Sequence, residues 1–161
     1  MNGWTYRNQA STAAVSPVPL RRVVQTPAVS LIEVHGEHAR EGDLESRLLP
    51  VLADVFNEAS VDGWDGEGAA ALTSRTYDSA RVFLRFVPDI FPAPHVAAYP
   101  GDRIGFEWRA GSRRFCVVLV DSGGRLTYSA VFGETRDRGV IEQLDAAGRA
   151  VVLANLSRLL A

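Results

Sequence analysis

Residues 103–132 read RIGFEWR-AGS-RRFCVVLV-DSGG-RLTYSAVF, and the fold turns on this stretch. Ile104, Phe106 and Trp108 alternate with Arg103, Glu107 and Arg109. A period of two places the apolar set on one face of a strand and the charged set on the other. The Gly-containing segments 110–112 and 121–124 are short, and the runs they join are rich in β-branched and aromatic residues, which predicts an antiparallel meander. HVAAY (95–99) reads as a further strand before it, whereas GETRDRG (133–139) reads as a charged loop.

Outward from the meander the period changes to 3.6. Leu44, Leu48, Val51, Leu52, Val55 and Phe56 mark an amphipathic helix that Asp43 can cap, with Pro50 expected to kink it or to mark where its regular part begins. Thr73 or Ser74 caps a second helix, through about Val87, that turns Tyr77, Ala80, Phe83 and Leu84 inward. Pro88, Pro92 and Pro94 make an extended connection into the strands. A last helix from about Asp145 to Leu160 carries Leu144, Val151, Val152, Leu156, Leu159 and Leu160 as its apolar face. The expected architecture is α+β: an antiparallel three- to four-stranded meander packed against two N-terminal helices and one C-terminal helix. Residues 1–28, rich in Ala, Ser, Thr and Pro, are expected to form a flexible arm, and 29–161 a single domain. Trp4 and Tyr6 stand out in that arm as aromatic contacts for a partner or a second copy.

Between the first two helices lies DGWDGEGA (62–69), with three carboxylates and three glycines. It fails as a calcium loop, because Trp64 and Gly66 stand where an EF-hand started at Asp62 needs oxygen ligands. As a phosphate cradle it is equally poor, since Asp62, Asp65 and Glu67 repel an anion. The residues fit a compact turn better. Gly63, Gly66 and Gly68 permit positive φ, Trp64 inserts its ring under the turn, and the aspartates accept backbone N–H groups near the following helix.

Composition narrows the chemistry. With 47% hydrophobic and 22% charged residues in 161, the chain has an ordinary globular balance and enough length for a sizeable core. All 17 basic residues are arginine, which removes every mechanism that needs a lysine, from a Walker A loop to a Schiff base. The net charge of −2 argues against a broad polyanion-binding surface. Cys116, alone and in an apolar run, makes no intramolecular disulfide and no cysteine-based zinc cluster. No apolar stretch reaches membrane-spanning length and no secretory leader is evident, so the expected location is the cytoplasm. His35 and His38 lack a third ligand of clear spacing, and no catalytic signature, cofactor motif or metal set emerges.

Glu107-x-Arg109, with Asp89 upstream, resembles the acidic-x-basic strand of restriction-type nucleases. Against that, Asp89 lies in a Pro-rich connection, and arginine substitutes poorly for a proton-carrying lysine. Pairing of Glu107 with Arg103, Arg109 or Arg114 explains it more simply.

GWDGEGA, the helix after it and GDRIGFEW together resemble a set of uncharacterised small bacterial proteins, found among accessory and mobile-element genes. In these a W-D-G-x-G-A turn precedes a helix and a D-G-x-I-x-x-E-W strand opens a meander. The resemblance spans about residues 60–132, with Asp102-Arg103 in place of the usual Asp-Gly. It implies a shared fold in which Asp62, Gly63, Trp64, Asp65, Gly66, Gly68, Glu107 and Trp108 form the structural motif, and an antitoxin-, immunity- or anti-defence-like role.

The leading expectation is therefore a non-enzymatic module that binds a protein partner or itself through Trp4, Tyr6, Arg103, Arg109 and Arg114. Two rivals stand beside it. One is a divalent-metal-dependent hydrolase or nuclease using Asp62, Asp65, Glu67 and Glu107. The other is a nucleic-acid binder using Arg103, Arg109, Arg113, Arg114 and Arg125.

Overall fold

The computed structural model describes residues 43–161. The expected arm, with Trp4 and Tyr6, and the histidine pair His35 and His38 lie outside the described residues. The chain runs α1 (Asp43–Glu58), α2 (Ser74–Phe86), five strands β1 (His95–Tyr99), β2 (Arg103–Arg109), β3 (Arg114–Asp121), β4 (Leu126–Phe132) and β5 (Thr135–Ile141), then α3 (Ala146–Leu160).

All five strands form one antiparallel sheet in sequence order. The α+β class is as expected, but the meander has five strands rather than three or four. The fifth, β5, is the stretch that reads as a charged loop. Its inward positions are Thr135, Asp137 and Gly139 before the buried Ile141, so it offers almost no apolar alternation to read. As an edge strand it needs only β4 beside it, and the pairing Phe132↔Thr135 closes a two-residue turn at Gly133-Glu134.

All three helices cover one face. α1 lies over β1, α2 over β2 and β3, and α3 over β3 and β4. The core sits between, where Ile104, Phe106 and Trp108 meet Val118, Val120, Cys116, Phe83, Leu84 and Leu156. Phe83 is its centre, 4.8 Å from the Phe106 ring and edge-on to Trp108 at 6.5 Å. Trp108 satisfies its indole by donating to the Pro92 carbonyl at 2.8 Å, so the ring is buried without an orphaned N–H.

The helix ends are tied by distant side chains. α1 continues through Pro50 as one element. Its Leu44 N–H donates to Asp89 Oδ1 at 2.6 Å, so the acceptor comes from the connection after α2. Glu45 pairs with Arg85 at 2.8 Å and Arg81 at 3.6 Å, locking α1 to α2. Hydrogen bonding to Arg85 holds the Glu45 carboxyl below its ordinary range. In α3, capped by Asp145 through the Gly148 N–H at 2.8 Å, the inward face is Gly148, Val152, Asn155, Leu156 and Leu159. Val151 and Leu160, expected inside, are exposed. Apolar residues surround this helix, and packing on the sheet, not composition, selects the face.

Candidate functional site

The α1–α2 connection is a built turn. Asp65 Oδ1 accepts the N–H groups of Glu67 at 2.9 Å and Ala69 at 3.0 Å, and Asp62 Oδ1 accepts Ala71 N–H at 2.9 Å. Gly63, Gly66 and Gly68 have φ of 75°, 78° and 89°, a region that side chains with a Cβ avoid. Trp64 is half-buried against the core, and its indole N–H donates to the Ala70 carbonyl at 3.1 Å. Backbone hydrogen bonds, Ala69 foremost, pull the Asp65 pKa below the usual aspartate value. Both aspartates thus work as acceptors for their own loop. Glu67 points to solvent, and no group of three or more metal-ligating side chains occurs among the described residues.

A second carboxylate joins this region to the sheet. Asp102, in the β1–β2 turn at φ 54°, receives the Thr76 hydroxyl at 2.6 Å, the Thr73 N–H at 2.8 Å and the Thr73 hydroxyl at 3.0 Å. Burial would raise its pKa, but these donors and Ser122 outweigh burial and lower it. Thr73 is also the N-cap of α2, so one carboxylate anchors the start of that helix.

On the other side of the sheet no helix packs among the described residues. Cross-strand register assigns that outer face to four rows: Arg109, Phe115, Val131 and Arg136; His95, Glu107, Val117, Ser129 and Arg138; Ala97, Gly105, Leu119, Thr127 and Val140; and Tyr99, Arg103 and Asp121. Its middle is apolar, with Phe115, Val117, Leu119 and Val131 half-buried and Val140 47% exposed. Gly105 is buried there because the Tyr99 ring lies across it. A Cβ at 105 would collide with that ring and meet a Leu119 methyl at 2.9 Å. Burial, and then the Glu107 charge, push the Tyr99 hydroxyl above its normal pKa.

The arginines named from sequence do not form one cluster. Arg109 pairs with Glu107 and stacks 5.7 Å from the Phe115 ring centroid on the outer face. Arg103, on the same face, folds back to donate to the Pro100 carbonyl at 3.1 and 2.8 Å. Arg114 lies on the helix side and donates to the Arg158 carbonyl at the end of α3. Arg125 pairs with Glu142 at 3.3 Å, and Arg113 is exposed in the β2–β3 turn. Asp89 sits under α1, so it and Glu107 lie on opposite sides of the sheet and make no carboxylate pair. Sequence reasoning missed Arg136 and Arg138. Both stand exposed on the outer face of β5, and neither makes an ion pair among the described residues. Their spacing two apart was the available signal.

The fold and this surface define an α+β domain in which a five-stranded meander is covered by helices on one face and bears an apolar centre with arginines at its margins on the other. No family model, curated protein or solved structure matches the chain. No helix among the described residues is long and apolar enough to cross a membrane.

Proposed function

We propose that this chain is a non-enzymatic protein-interaction module of a bacterial or phage accessory system, of antitoxin, immunity or anti-defence type, acting in the cytoplasm. Its outer sheet face receives the partner. One observation carries this reading: Phe115, Val117, Leu119 and Val131 form a contiguous apolar patch on a sheet face that no described helix covers, with Arg109, Arg136 and Arg138 beside it. An apolar centre with charged, aromatic-stacked margins is the composition of a protein-binding surface. The paired W-D-G-x-G-A and I-x-x-E-W motifs support membership in the accessory-gene set they resemble.

The hydrolase reading draws less support. Asp62 and Asp65 spend oxygens on backbone N–H groups in the helix layer, whereas Glu107 lies on the outer face paired with Arg109. Nucleic-acid binding is weakened in the same way, because Arg103, Arg109, Arg114 and Arg125 are all engaged within the fold.

The test is affinity capture from the cell of origin, followed by reconstitution of the complex from purified proteins. A stoichiometric complex is expected. A chain that captures no protein, while Mg²⁺, Mn²⁺, Ca²⁺ or Zn²⁺ raises its Tm by linkage, would replace the interaction reading with the metal-dependent one.

A further inference from the structure

The two edges of the sheet differ. β1 is five residues long, bracketed by Pro94 and Pro100, and has α1 packed over it. Prolines and a covering helix are the usual guards of an edge strand. β5 is seven residues long, contains no proline, and has only β4 as a strand neighbour among the described residues. Alternate N–H and C=O groups along β5 therefore face away from the sheet with no described strand to receive them.

The charges of β5 are sorted by face. Arg136 and Arg138 share the outer face, opposite Val131 and Ser129, and neither has an ion-pair partner among the described residues. Asp137 projects to the helix side, where, after burial, its charge pushes the Tyr128 hydroxyl above its ordinary pKa. Glu134 is in the preceding turn, and Glu142 beyond the strand is taken by Arg125. Arg113 adds a further positive charge nearby, its carbonyl accepting the Gly133 N–H at 2.9 Å. A second copy pairing antiparallel about Asp137 would set Arg136 against Arg138 twice and Asp137 against itself, so self-pairing in that register is repelled.

We infer that β5 is an augmentation edge: an extended acidic segment of the protein partner adds as a sixth strand, with carboxylates at alternate positions meeting Arg136 and Arg138. Main-chain hydrogen bonds supply attachment, and the two guanidinium groups supply register and sign. This inference rests on the interaction-module reading and deepens it by naming the partner's chemistry.

The test uses the full chain and labelled synthetic peptides of alternating glutamate and threonine, with alternating lysine and threonine as the control. Fluorescence anisotropy at low salt should show saturable binding of the glutamate peptide only, and hydrogen exchange at the β5 amides should slow. N-methylation of alternate residues, in both registers, should weaken binding about tenfold in the register that faces β5. The exposed double variant Arg136→Glu/Arg138→Glu should melt as the wild type does and prefer the lysine peptide. The inference is overturned by absence of binding, by equal binding to the double variant, by indifference to N-methylation in both registers, or by outward β5 amides already protected in the protein alone. A reconstituted natural complex that survives the double variant would reject the edge while leaving the interaction module intact.

Discussion

The Thr76 hydroxyl in the first turn of α2 donates to the Asp102 carboxylate in the β1–β2 turn at 2.6 Å, across 26 residues of sequence. Thr76 is fully buried, and its hydroxyl is satisfied by this carboxylate, the Asp102 carbonyl and Thr73. The contact joins helix layer to sheet at the point where α2 begins.

Asp102→Asn should keep the left-handed conformation, which Asn tolerates, but lose charge and acceptor capacity, costing about 1–2 kcal/mol. Asp102→Ala removes every carboxylate bond, leaving only the main-chain carbonyl to Thr76, and adds the left-handed penalty, for a total of about 2–4 kcal/mol. Urea midpoints check both. Wild-type stability in the Ala variant would show that the contact holds nothing.

Acid should unfold the protein through these same carboxylates. Asp102, Asp65 and Glu45 all have folded pKa values below their ordinary values of 3.8, 3.8 and 4.5. Their contribution is complete above those ordinary values and is lost as pH falls through the lower folded ones. Tm should therefore hold down to about pH 5 and then decline, and an Asp65→Asn/Asp102→Asn variant should show a shallower acid limb.

Trp64→Ala should cost about 1.5–3 kcal/mol, below the 3–5 kcal/mol typical of a fully buried aromatic, because the ring is half-exposed. Trp64→Phe, which keeps most of the ring but loses the bond to the Ala70 carbonyl, should cost about 1 kcal/mol. Calorimetry of the two variants separates packing from the hydrogen bond.

Cys116 is fully buried, and burial pushes its thiol up to about 12. Neither thiolate nor access is present in the native state. Ellman's reagent at pH 8 should react only on the timescale of unfolding, and rapid native labelling would contradict this packing.

The sheet and its turns were legible because β2 alternates cleanly and the turns carry glycine. The second helix was legible from its Thr73 cap and its spacing, though Thr76 was missed as a buried member of its inward face. Carboxylates that work at a distance were not. Asp89 serves Leu44 from 45 residues away, and Asp102 serves Thr73 from 29, with nothing local to announce either bond. The fifth strand was hidden because an edge strand solvated on one face needs few apolar residues, and TRDRGVI has only its last two. The candidate surface was half legible. Alternation correctly put Arg103 and Arg109 opposite the core, but the same alternation places Arg114 with Cys116 on the helix side. Arg136 and Arg138 disappeared with their strand.

The most direct measurement is the Kd of the reconstituted partner complex for the wild type and for Leu119→Glu, with a melting curve beside each. Leu119 sits mid-face, half-buried against Gly105 and clear of the helix-side core. A buried carboxylate in an apolar interface should weaken the complex about a hundredfold or more, while folding stability changes by about 1 kcal/mol or less. A complex of unchanged Kd, with the same melting curve, would contradict the assignment of the outer sheet face as the binding surface.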